Sequence, residues 1–124
     1  METKDLGKTS IGIQPNIAAL LSYVVGWVTG LVFFLIEKEN KFVRFHAVQS
    51  IIFFGVLSVL GVAFSVVASF FIMFRAYALL PTLGLITVLI WFLSQILWVF
   101  LMVKAYQGEK FKLPIVGDIA EKNS

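Results

Sequence analysis

Residues able to do chemistry are concentrated in one stretch, Glu37-Lys38-Glu39-Asn40-Lys41-Phe42-Val43-Arg44-Phe45-His46-Ala47-Val48-Gln49-Ser50, where charged, polar and aromatic residues alternate. On a helix, His46, Gln49 and Phe53 share one face, and Arg44 and Val48 share another. Two uses suit this pattern. As an interfacial anchor, Lys41 and Arg44 would snorkel to lipid phosphates while Phe42 and Phe45 enter the acyl boundary. As a functional cluster, Arg44, His46 and Gln49 would face inward to bind a headgroup, a partner or a proton, with Lys41 as a headgroup contact. His46 is the only histidine, and an interfacial imidazole could respond to pH. Other chemistries lack their parts. There is no cysteine, and a lone histidine with Glu37 and Glu39 outside the apolar run is a poor metal site. No nucleophile, base and orienting group share a recognisable arrangement. No catalytic residue, cofactor site or metal site is expected, and the chain reads as a non-enzyme.

The elements that must position this stretch are set by charge. The chain has 124 residues, of which 60% are hydrophobic and 14% charged, and its mean hydropathy is +0.96. Residues 9–36, 45–74 and 76–103 contain no Asp, Glu, Lys or Arg. A soluble domain cannot build a polar exterior from such a distribution, whereas about 20 apolar residues cross a bilayer core as a helix. A membrane β-barrel would need short alternating strands. The expected fold is therefore all-α and integral to the membrane, one domain over residues 1–124. It has three transmembrane helices at about 17–36, 51–74 and 82–103, a helical lead-in from Asn40 or Lys41, and an amphipathic C-terminal tail. Pro15 and Asn16 suit the first helix start, Arg75 closes the second span, and Pro81 opens the third.

Three spans place Lys4, Lys8 and Arg75 on one side. Lys38, Lys41, Arg44, Lys104, Lys110, Lys112 and Lys122 fall on the other. The excess of Lys and Arg predicts a cell-membrane protein with its N-terminus outside and its C-terminus in the cytoplasm. Met1–Lys8 mixes Glu2 and Asp5 with Lys4 and Lys8, so no cleavable signal is expected. The net charge of +3 points to lipid headgroups, because the basic residues flank apolar runs. No nucleic-acid partner is expected. Tyr23, Tyr77 and Tyr106 lie near span ends and suit an aromatic belt.

Small and weakly polar residues form stripes at helical spacing. Gly26 and Gly30 make a GxxxG, Gly55, Ser58, Gly61 and Ser65 follow at intervals of three or four, and Ser94 and Gln95 sit in the third run. Such stripes let backbones approach closely, within one chain or between copies. The bilayer and a second copy, or other membrane proteins, are the expected partners. Beyond the last span, Gly108 stops a helix and Pro114 and Gly117 mark a turn. Leu113, Ile115, Val116 and Ile119 then form an apolar edge expected to pack near residues 37–50.

These segments together resemble a known family. Thr9-Ser10, Asn16–Tyr23, the FVRFHAxQS element of 42–50, and Ala105–Glu109 with the GxxxxLP element of 108–114 resemble small prokaryotic membrane proteins of unknown function. Those proteins are described as distant relatives of the chloroplast inner-envelope protein-import component. The resemblance implies a multi-pass helical protein of the cytoplasmic membrane, with a remote link to translocation and no catalytic residues. The expected function is thus a self-associating subunit of a membrane assembly. The alternatives are a small holin-like pore, or a carrier, which would need internal repeats and broken helices near the midplane.

Overall fold

The computed structural model describes residues 6–124 and is built from helices. They are α1 (Pro15–Val24), α2 (Trp27–Ile36), α3 (Lys41–Met73), α4 (Leu80–Tyr106) and α5 (Val116–Asn123), with a 3-10 turn at Tyr77–Leu79 before α4. Glu2, Lys4 and Asp5, used above for signal and orientation, lie outside the described residues.

The expected first span is not one helix. Pro15 opens α1 as predicted, but the helix stops after ten residues at Val24 and α2 starts at Trp27. At about 1.5 Å per residue, neither piece reaches more than about half of a 30 Å bilayer core. Gly26 makes the break, with φ 66° and ψ −138°, a conformation essentially reserved for glycine. Its missing side chain also matters, because a Cβ there would lie 3.3 Å from the Phe54 ring. The chain then turns back. Ser10, before α1, and Glu37, after α2, are joined by hydrogen bonds of 2.6–3.1 Å. Both ends of the α1–α2 hairpin therefore lie together, and its tip sits more than a dozen residues along α3.

Breaking a helix in apolar surroundings strands backbone groups, and side chains of three helices take up several of them here. Trp98 Nε1 donates to Tyr23 O at 2.5 Å, and Ser50 Oγ to Gly26 O at 3.1 Å. Thr29 Oγ1 accepts from Val25 N at 3.1 Å and donates to Ser22 O at 3.2 Å. Gly30 serves the same hairpin, since a Cβ there would lie 3.0 Å from Ala47 O and 3.1 Å from Ser50. The Gly26–Gly30 pair thus works inside the chain, one residue as a breaker and the other as a close contact.

The other two apolar runs follow expectation in kind. Asn40 caps α3, accepting from Val43 N at 3.1 Å, so the lead-in and second span form one helix of 33 residues. Arg75 closes it in the left-handed region at φ 57°. Pro81 lies in the first turn of α4, and Gly108, at φ 79°, ends the run after Tyr106. These two helices are long and apolar enough to cross a bilayer. They are also mostly uncovered: α3 buries nothing beyond Phe53, and α4 buries Ser94, Leu101 and Ala105. Their residues near the polar end enclose the hairpin, where Ala18, Ala19, Tyr23, Phe33, Val43, Ala47 and Leu101 form the core.

Asn16 confirms the shared end: its Nδ2 donates to Tyr106 O at 3.1 Å, tying the start of α1 to the end of α4. The expected separation of the chain before the first helix from the C-terminal tail is therefore corrected for the described residues, because residues 6–14 and the tail lie at the same end of the molecule. Among the described residues that end carries Lys8, Lys38, Lys41, Arg44, Lys104, Lys110, Lys112 and Lys122, and the far end carries Arg75. The cause is the Gly26 break, which turns the chain back toward its start.

Gly26→Ala should lower stability by about 1–3 kcal/mol, the cost of a strained backbone conformation. Gly55→Ala and Gly61→Ala, which meet nothing within 4 Å, should change it by less than about 0.5 kcal/mol. Thermal unfolding of the purified variants checks the contrast.

Candidate functional site

At the polar end the buried side chains are themselves polar. Glu37, His46, Gln49 and Ser50 are each 0% exposed. Burying them is costly unless every donor and acceptor is matched, and the sequence supplies the matches from distant segments.

Glu37 ends α2 and holds the turn into α3. Its carboxylate accepts from Ser10 N, Ser10 Oγ, Glu39 N and Asn40 N, at 2.6–3.1 Å. Burial alone raises the carboxyl's pKa, but the Ser10 hydroxyl and the N–H groups of Asn40, Ser10 and Glu39 bind the charged form and hold it below its ordinary value. Asn40 extends the junction, its Nδ2 donating to Leu6 O at 2.8 Å and Lys8 O at 3.2 Å. Residues 6–10 are thereby strapped across the α2–α3 turn.

His46 and Gln49 face inward one helical turn apart, as expected. Glu109 O can only accept, so His46 Nε2 donates to it at 2.9 Å. His46 Nδ1 then accepts from the Tyr23 hydroxyl at 2.7 Å. Gln49 Nε2 donates to Tyr23 Oη at 3.0 Å and to Phe111 O at 2.9 Å, while its Oε1 accepts from Leu113 N at 3.0 Å. Tyr23, Phe42 and Phe45 pack edge-on around the imidazole. The outcome is a latch. His46 and Gln49 of α3, joined to each other through the Tyr23 hydroxyl of α1, grip the backbone of residues 109–113, and no donor or acceptor of the imidazole is left over for another reaction. Tyr23 is 0% exposed, so it belongs to this network and not to an aromatic belt.

Arg44 does not join His46 and Gln49. It projects from another face of α3, where Nη1 donates to Phe34 O at 3.0 Å and Glu37 O at 2.6 Å. Its guanidinium lies 4.3 Å from the Phe34 ring centroid. A cation on the last carbonyls of α2 complements the negative end of that helix. Lys41 stays exposed. The inward cluster of Arg44, His46 and Gln49 is corrected to the pair His46 and Gln49, with Arg44 as a helix cap.

Past Gly108 the chain runs through the latch to α5. Gly117 is packed so closely on Lys112 that no Cβ fits there. Lys112 pairs with Glu121 and, at 3.9 Å, with Asp118. Ala120 of α5 is buried against Phe45 and Val48, so the tail packs on residues 37–50 as expected. The expected apolar edge divides, with Leu113 inside and Ile115 and Ile119 exposed.

The packing stripes divide too. Gly26 and Gly30 are used within the chain. Gly55 and Gly61 face open space, and Ser58 and Ser65 bond back to Phe54 O and Gly61 O. Ser94, buried, bonds to Ile90 O. Gln95 lines a groove of about 420 Å³ with Gly26, Trp27, Ser58 and Trp98.

The model of the magnetosome magnetite crystal formation protein family, MamF/MmsF, matches residues 9–120, from the strap into α5. The chain belongs to this family. A UPF0132 membrane protein of Methanocaldococcus jannaschii is 46% identical over 119 residues, covering 96% of each chain. A UPF0132 membrane protein of Archaeoglobus fulgidus is 44% identical over 110 residues, covering 89% of this chain and 95% of its own length. No solved structure matches. The MamF/MmsF match and these archaeal membrane proteins support the expected small, uncharacterised membrane-protein family. They give no support to the chloroplast-import relationship expected with it.

Two outcomes test this MamF/MmsF polar end. Gln49→Leu leaves Leu113 N and Phe111 O unpaired, at about 1–3 kcal/mol. Hydrogen exchange at the Leu113 amide should then accelerate at least about tenfold. Glu37, with its lowered value, stabilises the fold fully above the unfolded carboxyl value of about 4.3, and that stability is lost as pH falls through the folded value. The unfolding midpoint should drop below about pH 4.3, and drop less steeply in Glu37→Gln.

Proposed function

We propose that the chain is a non-enzymatic, two-pass protein of the cell membrane, with both termini cytoplasmic, and that it serves as a self-associating subunit of a membrane assembly. One observation carries the association. From Phe54 to Met73 no residue of α3 is buried, and Gly55 and Gly61 would meet nothing if given side chains. With Ser58, Ser65 and Ser69 they occupy one face of the helix. Lipid covers large apolar residues as well as small ones, whereas small residues favour close approach of another helix. Orientation rests, among the described residues, on the eight Lys and Arg at the polar end against Arg75 at the other. α1 and α2 then form a re-entrant hairpin that enters and leaves from the cytoplasm.

From the family we take the membrane-protein class and not the mineral chemistry in its description. Among the described residues no three His, Cys, Asp or Glu group together. The carrier reading draws on one feature, the helix break beside Gln95, and the pore reading on none.

Fluorescence energy transfer between labelled copies in liposomes tests the proposal. The wild type should associate, and Gly55→Leu/Gly61→Leu should associate at least about tenfold more weakly, about 1.4 kcal/mol. Ala63→Leu, on another face of α3, should match wild type. A monomeric wild type, or equal effects of the two variants, contradicts the reading. Dye leakage from the same liposomes would favour a pore, and solute uptake without leakage a carrier.

A further inference from the structure

Most charges at the polar end are already engaged. Glu37 is held by four donors, Glu109 pairs with Lys104 at 3.0 Å, and Asp118 and Glu121 pair with Lys112. Arg44 caps α2. Three lysines in no such ion pair, Lys8, Lys41 and Lys110, instead line one cavity of about 570 Å³. They come from three separate segments: the strap, the first turn of α3, and the connection from α4 to α5. Glu39 is the one acid in the lining among the described residues, so the described lining carries a net charge of +2.

The convergence is held by bonds already described. Asn40 fixes the strap by donating to Leu6 O and Lys8 O. His46 fixes the segment before Lys110 by donating to Glu109 O, and the Lys110 ammonium sits 5.5 Å from the Phe45 ring centroid. Three lysines against one acid give the described lining a positive potential that attracts an anion. Lysine offers a compact charge with rotatable donors, suited to a phosphate oxygen cluster. A phosphate monoester is close to a dianion at neutral pH, matching the net charge of the wall.

We propose that this cavity binds a phosphate monoester or a similar phosphate dianion. The group could be carried on a lipid headgroup, given the position beside the apolar spans, or be free in solution. The inference does not depend on self-association.

The full-length protein in neutral detergent is melted with three probes: phosphatidic acid, phosphatidylcholine and inorganic pyrophosphate. Phosphatidic acid or pyrophosphate should raise the unfolding midpoint by about 4 °C or more at saturation, and phosphatidylcholine should not. A shift from phosphatidic acid alone assigns a lipid source, and a shift from pyrophosphate assigns a free one. Lys8→Gln/Lys41→Gln/Lys110→Gln should weaken the response at least tenfold in ligand concentration. Lys38→Gln/Lys122→Gln, which changes two exposed lysines outside the cavity, should respond like wild type. If the triple variant melts early without ligand, the single variant Lys110→Gln serves instead, with at least a threefold loss expected. No shift with either phosphate probe, a full shift in the cavity variants, or equal loss in the control variant overturns the proposal.

Discussion

Everything at the polar end depends on one constraint: a helix broken in apolar surroundings must find partners for the backbone groups it frees. Gly26 supplies the conformation, but the break persists because Trp98, Ser50 and Thr29 take up the exposed carbonyls and N–H groups. Those partners come from α4, α3 and α2, so the break and the packing of four helices form a single arrangement. Once the chain turns back at Gly26, its N-terminal strap and its C-terminal tail must share an end. The Glu37 junction and the tail latch become possible only there.

The same economy runs through the latch. Tyr23, His46 and Gln49 are buried side by side without an ion pair, and they are tolerated because each donor meets an acceptor on the tail backbone or on another member. The backbone of residues 109–113 gains partners although it forms no helix. Such a network specifies one position for the tail, which in turn seats α5 on Phe45 and Val48. Away from this end the physics changes. The outer halves of α3 and α4 have few polar side chains and little contact within the chain, so their surroundings are lipid or another protein. The molecule thus divides into a cross-bonded end and an exposed apolar pair of helices.

How much of this was legible follows from what side-chain type can encode. The uncharged runs at 45–74 and 76–103 read correctly as long helices, and Asn40, Pro81, Gly108 and the Pro114–Gly117 turn mark real boundaries. The inward face of His46 and Gln49 follows from their spacing of three. The break was not legible, because Gly26 and Gly30 fit a GxxxG face as well as a hairpin tip, and an uncharged run of full span length hides two short helices. Thr29 and Ser22, close on either side of Gly26, are the signal that could have raised it. Arg44 was misassigned because a helical wheel gives its face but not the carbonyls of α2 it meets. The partners of His46 and Gln49 are backbone atoms of Glu109, Phe111 and Leu113, which no pattern of side chains announces. Tyr23 looked like a belt residue because position near a span end was its one visible property.

The whole polar end stands on the return of the chain at Gly26. With no cysteine in the sequence, single cysteines can be placed at Lys8, Arg75 and Lys122 and labelled with a membrane-impermeant thiol reagent in intact cells and in inverted vesicles. A returning hairpin predicts that Lys8→Cys and Lys122→Cys label from the same side, in inverted vesicles, and that Arg75→Cys labels from the opposite side, in intact cells. Labelling of Lys8→Cys together with Arg75→Cys, opposite Lys122→Cys, would mean that the first segment crosses the membrane, and would contradict the account.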